Sequence, residues 1–253
     1  MSTSLRGPER GRGNLNSIVN MKVSEIFKSI EGEGVRMGQA AVFVRLHGCN
    51  LRCSYCDSMY AVEGPDFKQM SVGEVLAAVE AYRNESGVKC VTLTGGEPLI
   101  HEGVGELLAA FCDGGFEVNV ETNGTVPCDW RLPGLFYTMD WKCESSGMSA
   151  KMRMENLETL GAEDVLKFVV GSVEDLEETA RVVRELHQRK THGCVDGKTS
   201  NTMPHIFVSP VFGKLEYEKI VEWMLSEKVM VQNNARFQVQ LHKVIWDPDM
   251  RGV

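Results

Sequence analysis

The sequence has no apolar run close to the roughly 20 residues that a membrane-spanning helix needs, and its N-terminus lacks the apolar core of a signal peptide. It also has no surplus of positive charge: 27 Lys and Arg residues stand against 35 Asp and Glu residues, a formal net charge of −8. Proteins that grip nucleic acid need clustered cations to neutralise phosphates, so direct binding to nucleic acid, tRNA included, is not expected. These absences predict a soluble, cytoplasmic protein.

Nothing in the sequence marks an internal repeat or a second domain, and 253 residues are enough for one sizeable core. The hydrophobic content of 43% and the charged content of 25% are those of a globular protein. Residues 1–20 are rich in Gly, Ser, Asn and Arg and lack periodicity, which predicts a flexible N-terminal tail. Residues 21–253 are predicted to form a single domain.

Short β-rich runs alternate with helical patterns along this domain. The helical patterns begin near Ser71, Ser172 and Lys214, and the first two open with a serine followed three residues later by an acid. The stretch 189–204 interrupts the alternation and predicts an extended loop. The predicted strands cover residues 22–27, 41–46, 90–94, 116–122, 135–140, 165–170, 205–210 and 236–241.

This alternation predicts an α/β fold with a mostly parallel sheet, either open and doubly wound or closed into a full or partial barrel. Several strand candidates are apolar at nearly every position, as expected for strands buried on both faces. In each of these architectures the functional site lies at the C-terminal ends of the strands.

Eight cysteines occur, and in a chain without secretory features they are not expected to form a disulfide framework. Three of them, Cys49, Cys53 and Cys56, lie within eight residues directly after the predicted strand 41–46. Cubane iron–sulfur clusters are most often held by four cysteines, so three would leave one iron open to an external ligand. The alternative is a zinc site or a closed cluster completed by His47 or by a distant cysteine.

A second motif, "TLTGGEPLI" (92–100), runs from a predicted buried strand into two glycines, an acid and a proline. Gly95 and Gly96 would let the backbone approach a ligand, and Glu97 could accept hydrogen bonds from an ammonium group. The alternative is an ordinary strand-to-helix turn. Tyr55 lies between two of the clustered cysteines, where an adenine could stack on its ring.

The cysteine loop "GCNLRCSYCDS" (48–58) and the "GGEP" motif together resemble the radical S-adenosylmethionine superfamily. The resemblance implies a partial or modified (β/α) barrel whose three clustered cysteines bind a [4Fe–4S] cluster, with S-adenosylmethionine on the open iron. It also implies one-electron cleavage of the sulfonium to a 5′-deoxyadenosyl radical, which abstracts a substrate hydrogen. The implied cofactor contacts in these motifs are Tyr55, Cys56, Asp57, Gly96 and Glu97.

Within that superfamily, residues 22–253 resemble the 7-carboxy-7-deazaguanine synthase family. The implied reaction converts 6-carboxy-5,6,7,8-tetrahydropterin to 7-carboxy-7-deazaguanine with loss of ammonia, regenerates S-adenosylmethionine and uses Mg²⁺. Its product belongs to the biosynthesis of queuosine and other 7-deazapurines. The resemblance rests on "FKSIEGEGVRMGQAAVFVRLHGCN" (27–50), "CDSMYA" (56–61), "MDWKCESSGM" (139–148) and "QVQLHKVIWDPDMRGV" (238–253).

The turn "SIEGEG" (29–34) has backbone groups that could bind the edge of a flat heterocycle, and Glu33 could accept from a ring amino group. The family usually has Gln where this chain has Glu31, and backbone contacts would survive that change. Arg45 stands among apolar residues of a predicted strand and needs an anionic partner, because an isolated buried guanidinium is costly. The partner is either an internal acid or, as the resemblance implies, the 6-carboxylate of the substrate. The implied substrate contacts are Ile30, Glu31, Gly32, Glu33, Arg45, Thr94, His242 and Val253.

Taken alone, Asp57 and Ser58 are typical of a helix N-cap, whereas the resemblance assigns Mg²⁺ to the Ser58 hydroxyl. A single histidine at the end of a predicted strand, such as His242, is more often structural, but the resemblance makes it a substrate contact. It also brings the terminal carboxylate of Val253 to the substrate, although chain ends usually fray. Two further segments are implied to meet S-adenosylmethionine, namely Asp140, Trp141, Lys142 and Ser209, Pro210, Val211, Phe212.

Two other functions stay open on the cysteine motif alone. An enzyme that installs a glycyl radical on a partner protein would use the same cysteine spacing. A zinc- or cluster-stabilised binding module would have no catalytic activity. The preferred interpretation implies two protein partners, a reductant such as a flavodoxin and a second copy of the chain in a homodimer.

Overall fold

The computed structural model of the protein describes residues 19–192 and 202–253, and its centre is one nine-stranded sheet in the order β3-β1-β2-β4-β5-β6-β7-β8-β9. Neighbouring strands are parallel from β2 onward, whereas β1 is antiparallel to both β2 and β3. Within the described residues the sheet is open, which confirms the predicted α/β fold and corresponds to a partial barrel. The strands are β1 Asn20–Ile30, β2 Ala40–Leu46, β3 Lys68–Ser71, β4 Cys90–Gly95, β5 Glu117–Thr122, β6 Leu135–Trp141, β7 Val165–Val170, β8 His205–Pro210 and β9 Arg236–Phe237.

Helices lie in most of the crossover connections that join the parallel strands. A connection between parallel strands must return along the length of the sheet, and a helix satisfies its own backbone hydrogen bonds on the way. The helices are α1 Met59–Val62, α2 Val72–Ser86, α3 Val104–Asp113, α4 Glu155–Thr159, α5 Val173–His192, α6 Tyr217–Ser226, α7 Lys228–Gln232 and α8 His242–Ile245. No helix among the described residues is long and apolar enough to cross a membrane.

The core lies between the sheet and these helices. Val44 of β2 and Leu93 of β4 are fully buried and belong to one apolar cluster with Val75 and Val79 of α2. Consecutive branched apolar residues suit strands that are covered on both faces. This packing fixes the strand ends from which the loops of the site begin.

The starts of two helices show how the sequence sets the element boundaries. The Ser71 hydroxyl accepts from the Glu74 N–H at 3.3 Å and the Glu74 carboxylate accepts from the Ser71 N–H at 2.8 Å, so the predicted capping box of α2 is confirmed. At α5 the Ser172 hydroxyl accepts from the Asp175 N–H at 3.4 Å. The Asp175 carboxylate accepts from the Gly171 N–H at 2.7 Å, so it holds the loop that leads into the helix.

Two predicted boundaries were wrong, one at the start of β1 and one at the end of α5. β1 begins at Asn20, which pairs with Ser71, so the fold starts inside the predicted tail, and residues 1–18 lie outside the described residues. Helix α5 continues to His192, so 189–192 is helical although a loop was predicted there. The remainder of that predicted loop falls largely on residues 193–201, also outside the described residues.

The predicted strand 236–241 was too long, since β9 ends at Phe237. The Gln238 N–H still donates to the Val208 carbonyl at 3.0 Å, but the Gln238 Oε1 accepts from the Gly34 N–H at 2.8 Å. The Leu241 N–H donates to the Gly32 carbonyl at 3.0 Å. The segment after β9 therefore pairs with the turn that follows β1, and His242 begins α8 where the end of a strand was predicted.

Candidate active site

One cavity of about 940 Å³ opens at the carboxyl ends of the parallel strands. Loops after β2, β4, β5, β6, β7 and β8 line it, together with the end of β1 and the last residues of the chain. The predicted position of the site at the strand ends is thus confirmed. The predicted residues that line this cavity are Ile30, Gly32, Glu33, Arg45, Cys49, Cys53, Tyr55, Cys56, Asp57, Ser58, Thr94, Gly96, Asp140, Lys142, Val211, Phe212, His242 and Val253.

The cysteine loop leaves β2 through Gly48, whose φ of +107° lies in a region that side chains other than hydrogen disfavour. The loop is packed against the glycine pair that ends β4. A Cβ on Gly95 would overlap the Leu46 carbonyl, and a Cβ on Gly96 would overlap the Gly48 carbonyl and lie 2.9 Å from the Cβ of Cys49. These glycines therefore permit close approach of two backbones, and because both also line the cavity, their approach to a ligand stays a prediction.

The three clustered cysteines are free, half-buried thiols on one cavity wall. Burial raises the pKa of Cys53 and of Cys56, and the Lys142 ammonium opposes that rise. A bound metal centre would supply the positive charge that keeps such thiols ionised, so this donor set fits an iron–sulfur cluster held by three sulfurs. His47 does not line the cavity, because its Nδ1 lies 3.2 Å from the Ser24 hydroxyl and its ring packs on Phe67.

The acid of the "GGEP" motif does not reach the cavity, contrary to prediction. Glu97 is fully buried, and its carboxylate accepts from the Leu99 N–H at 3.0 Å, the Thr122 hydroxyl at 2.8 Å and the Asn123 N–H at 2.6 Å. Burial raises the pKa of Glu97 to about 7, with the Asn123 and Leu99 N–H groups opposing the rise. Glu97 therefore ties the turn after β4 to the loop after β5.

A buried network of charges crosses the floor of the cavity. The Lys167 Nζ lies 2.8 Å from Glu33 Oε2 and 3.1 Å from Asp140 Oδ1, and the Lys142 Nζ lies 3.1 Å from Asp140 Oδ2. Burial alone would lower the pKa of Lys167, but Asp140, Glu33 and Glu121 outweigh it and raise that pKa. Lys167 thus joins the turn after β1 to the end of β6, and it stays a cation.

Arg45 has an internal acidic partner and still lines the cavity. Its Nε donates to Glu25 Oε1 at 2.7 Å, and the Tyr60 hydroxyl donates to the same oxygen at 2.6 Å. Among the described residues no partner engages the two Nη groups of Arg45, so the planar end of the guanidinium is available to an anion. Both alternatives drawn from the sequence, an internal salt bridge and an anion site, are therefore compatible with this side chain.

The turn after β1 presents Gly32 and Glu33 to the cavity and buries Glu31 below it. The Glu31 carboxylate contacts the Thr92 hydroxyl and is not part of the cavity lining, so a substrate contact at this residue stays a prediction for its backbone. Burial and, after it, the negative charge of Glu121 raise the pKa of Glu31 to about 7. A glutamate in this position is largely neutral below pH 7, as a glutamine is at every pH.

The substitution Glu31→Gln should remove a pH-dependent loss of stability. Because the Glu31 pKa rises from 4.5 to about 7 on folding, its contribution is favourable below pH 4.5 and is lost as pH rises through 7. We expect Glu31→Gln to raise the free energy of unfolding at pH 8 by up to about 3 kcal/mol and to leave it nearly unchanged at pH 4.5. Urea unfolding at both pH values measures this difference, and an equal effect at both would contradict it.

Ser58 and Asp57 lie at the start of α1, facing the cavity. Ser58 occupies the N-cap position but makes no capping hydrogen bond, and its hydroxyl donates to Asp57 Oδ1 at 3.2 Å. The Lys243 Nζ lies 2.9 Å from Asp57 Oδ2. Burial opposes ionisation of Asp57, but Lys243 outweighs it and lowers the pKa of Asp57 to about 2. The Ser58 oxygen therefore lies beside a permanent carboxylate.

His242 and Val253, both in the segment that follows β9, line the cavity. A Cβ at residue 32 would lie 2.7 Å from His242 Nδ1, so a larger residue there would have to displace the His242 ring. Arg251 stacks over the Tyr60 ring at 3.9 Å, and Tyr60 is the residue that shares Glu25 with Arg45. The chain end thus packs beside the predicted anion site.

Three more predicted contacts lie outside the cavity lining. The Trp141 Nε1 donates to Glu178 Oε1 at 3.2 Å on the far side of β6. The buried Ser209 hydroxyl lies 3.2 Å from Glu33 Oε1, and Pro210 is buried in β8 behind it. Ser209 and Pro210 end β8 and lead directly into Val211 and Phe212, which do line the cavity.

Sequence reasoning missed three charged residues of the site. Glu121 is the penultimate residue of β5 and Lys167 lies in β7, and both line the cavity, while Glu25 of β1 holds Arg45. Lys167 could have been predicted, because it is the one charged residue of the apolar run "VLKFVV", just as Arg45 is of "AVFVRL".

The model of the radical SAM superfamily matches residues 43–131, which contain the cysteine loop, the glycine pair and the loop after β5. With its three thiols on the cavity wall, the chain is a radical S-adenosylmethionine enzyme, a class whose cofactors are a [4Fe–4S] cluster and S-adenosylmethionine. Two relatives are each a 7-carboxy-7-deazaguanine synthase. That of Clostridium acetobutylicum is 41% identical over 240 residues, 93% of this chain and all of that protein. That of Chlorobaculum tepidum is 38% identical over 237 residues, 92% of this chain and 97% of that protein.

The chain belongs to the 7-carboxy-7-deazaguanine synthase family and thus to 7-deazapurine biosynthesis. The crystal structure of QueE from Escherichia coli has the same fold, with a TM-score of 0.65 at 23% identity over 87% of this chain and 94% of that chain. Streptococcus suis SuiB bound to S-adenosylmethionine shares the fold with a TM-score of 0.54 at 13% identity, over 76% of this chain and 45% of that chain.

Proposed function

We propose that the enzyme converts 6-carboxy-5,6,7,8-tetrahydropterin to 7-carboxy-7-deazaguanine with release of ammonia. The observation that carries the proposal is the cavity itself, in which three thiols and an arginine with two available Nη groups line one space. A pterin carboxylate needs such a guanidinium, and radical chemistry needs the thiols nearby. Family membership sets aside the glycyl-radical activating enzyme and the non-catalytic binding module.

Cys49, Cys53 and Cys56 would hold the cluster, and Tyr55, Lys142, Val211 and Phe212 would line the S-adenosylmethionine site beside it. When bound, these cofactors supply a 5′-deoxyadenosyl radical for hydrogen abstraction and are restored at the end of the reaction. The half-buried Tyr55 ring offers an aromatic face, and Lys142 and Asp140 offer a fixed cation and anion to the polar groups of the ligand.

Arg45 would bind the 6-carboxylate through its two Nη groups while Glu25 holds Nε in place. Glu33 is fixed by Lys167 at 2.8 Å, so its carboxylate presents one orientation to the ring amino group. Thr94 and His242 would contact the heterocycle from β4 and α8. This arrangement would orient the ring against the thiol wall and exclude water from the reacting carbon.

Mg²⁺ would bind at the Ser58 hydroxyl, whose oxygen faces the cavity next to the ionised Asp57. Magnesium prefers hard oxygen ligands and often takes only one or two from the protein, with substrate oxygens and water completing the shell. Here the ion would offset the negative charge of the substrate carboxylate and fix its position relative to Arg45.

We also infer two protein partners. A low-potential electron donor such as a flavodoxin would reduce the cluster, and the cysteine loop is only half-buried, which leaves it near the surface. A second copy would cover α8, where Val244 and Ile245 are 69% and 50% exposed. Sedimentation equilibrium of the holoenzyme measures the second inference, and a monomer at micromolar concentration would contradict it.

The decisive test of the proposed reaction is anaerobic incubation of the reconstituted protein with dithionite, S-adenosylmethionine, Mg²⁺ and 6-carboxytetrahydropterin, followed by mass spectrometry. The expected product is 7-carboxy-7-deazaguanine, formed without stoichiometric consumption of S-adenosylmethionine. Accumulation of 5′-deoxyadenosine without a deazaguanine would leave the enzyme class intact and overturn the substrate. Omitting Mg²⁺ should lower the rate, and an equal rate in EDTA would remove the metal from the mechanism.

Deletion of residues 249–253 should impair substrate binding and spare the radical machinery. These residues line the cavity, where Arg251 stacks over Tyr60 beside Arg45, and they supply none of the three clustered thiols. Loss of one charged contact to the substrate should lower kcat/KM roughly 10- to 100-fold. Iron content and the slow formation of 5′-deoxyadenosine without substrate should match the full chain. Undiminished kcat/KM would contradict a role for the chain end.

A further inference from the structure

The side-chain amide of Asn123 lies against the first cysteine of the loop. Asn123 directly follows β5 and is buried, and its Nδ2 is 3.6 Å from Cys49 Sγ and 3.0 Å from Asn50 Oδ1. The first distance is that of an amide donating to sulfur. Cys49 Sγ also receives the Leu51 N–H at 3.4 Å, so two donors point at this sulfur.

The orientation of the Asn123 amide follows from its other partner. Asn123 Oδ1 accepts from the Thr125 N–H at 3.0 Å and from the Thr125 hydroxyl at 2.6 Å. A backbone N–H can only donate, so the atom that faces Thr125 must be the oxygen. The nitrogen therefore faces Cys49, and the sulfur meets a donor rather than a carbonyl oxygen.

The backbone of Asn123 is anchored from a second strand. Its N–H donates to Glu97 Oε2 at 2.6 Å, and the other Glu97 oxygen accepts from Leu99 and Thr122. Glu97 is fully buried and ends the turn after β4, whose Gly96 packs on Cys49. The amide is thus held by its own loop and by the "GGEP" turn, and the sulfur lies between the two. Glu97 of the "GGEP" motif does not line the cavity, but through the Asn123 N–H it helps to position the residue that contacts Cys49.

We propose that Asn123 is a positioning residue for the iron–sulfur site, holding Cys49 Sγ in place and donating a hydrogen bond to it when the cluster is bound. Reduction adds negative charge to the cluster and its thiolate ligands, so a donor to sulfur favours the reduced form and raises the reduction potential. The inference depends on the enzyme class and on Cys49 as a ligand, and it does not depend on the substrate.

The test compares reconstituted holoenzyme carrying Asn123→Ala with the control Thr125→Ala. The control removes the Thr125 hydroxyl, which donates to the Asn123 amide oxygen and accepts from Asn50 Nδ2 at 2.7 Å, and it leaves the Thr125 N–H on Asn123 Oδ1 and the amide-to-sulfur bond. The ratio of reduced to oxidised cluster is measured by EPR at a fixed ambient potential. In Asn123→Ala this ratio should fall about three- to tenfold, the range expected for one lost hydrogen bond. In the control the ratio should stay unchanged. Full iron and sulfide content with an unchanged ratio in Asn123→Ala would overturn the proposal.

A second measurement needs no substitution at Asn123. In wild-type enzyme with ¹⁵N in the side-chain amides of asparagine, pulsed EPR of the reduced cluster should show a ¹⁵N coupling. The coupling should persist in Asn50→Asp. Aspartate has no side-chain nitrogen, so residue 50 cannot cause the coupling there, and its carboxylate oxygen can still accept the hydrogen bond from Asn123 Nδ2. A wild-type spectrum without this coupling, or its loss in Asn50→Asp, would overturn the proposal even if Asn123→Ala failed to fold.

Discussion

Replacing Cys53 with Ala is expected to abolish both the iron–sulfur absorbance and the formation of 5′-deoxyadenosine. Loss of one of the three thiols would leave only two cluster ligands in the loop, and His47 is not placed to replace it, because it does not line the cavity and its Nδ1 lies 3.2 Å from the Ser24 hydroxyl. The fold should survive, because Cys53 is only half-buried and lies in a loop. Iron and sulfide analysis, visible absorbance and liquid chromatography of deoxyadenosine measure the effect.

The matched control for this experiment is Cys112→Ala. Cys112 is also a half-buried free cysteine, but it lies in α3 and packs against the apolar core. Its replacement should cost some stability and leave cluster content and deoxyadenosine formation unchanged. Retention of a full cluster in Cys53→Ala, or its loss in Cys112→Ala, would show that the wrong thiols had been assigned.

The second large effect is expected from Arg45→Ala, which should weaken substrate affinity by about 2–5 kcal/mol, the cost of truncating a buried charge pair. This corresponds to a rise in KM of roughly 30-fold to several thousand-fold. The physical reason is that the substrate carboxylate would enter a half-buried site without its cation. Steady-state kinetics at saturating S-adenosylmethionine measure the change, and an unaltered KM would remove Arg45 from the site.

Two comparisons separate this loss of binding from damage to the fold. Glu25→Gln breaks the internal ion pair but leaves the Nη groups of Arg45 and the hydrogen bond acceptor for Tyr60, so KM should change much less. A tetrahydropterin without the 6-carboxylate should bind wild-type and Arg45→Ala protein with similar affinity. If the substitution weakened both ligands equally, its effect would be on the fold rather than on carboxylate recognition.

Apolar runs predicted the central strands well, because a strand that is covered on both faces must be apolar at nearly every position. The bounds of β7 and β8 agree with the predicted 165–170 and 205–210. Helix α3 escaped prediction, and its start offers no capping side chain, since it follows Gly103 in a left-handed conformation. Strand β3 is four residues long, and half of it is exposed, so its sequence carries little pattern.

Local motifs likewise placed the cysteines, Tyr55 and Ser58 in the cavity, because one loop carries them all. Contacts between elements that are far apart in the sequence could not be predicted from local motifs. Lys167 and Glu33 are 134 residues apart, and no spacing rule connects them. Glu97 shows the opposite failure: an acid after a glycine pair has the same sequence signature whether it meets a ligand or, as here, three donors of its own chain.

The glycine pair after β4 has a consequence for protein engineering. Because Gly95 and Gly96 each leave room for a carbonyl of the neighbouring β2 exit, the cysteine loop and the glycine turn can exist only at one mutual offset of the two strands. Grafting the cysteine loop alone onto another parallel sheet would place carbonyls against side chains and push the thiols away from the strand ends. The transferable unit is therefore a pair of adjacent strands with both of their loops.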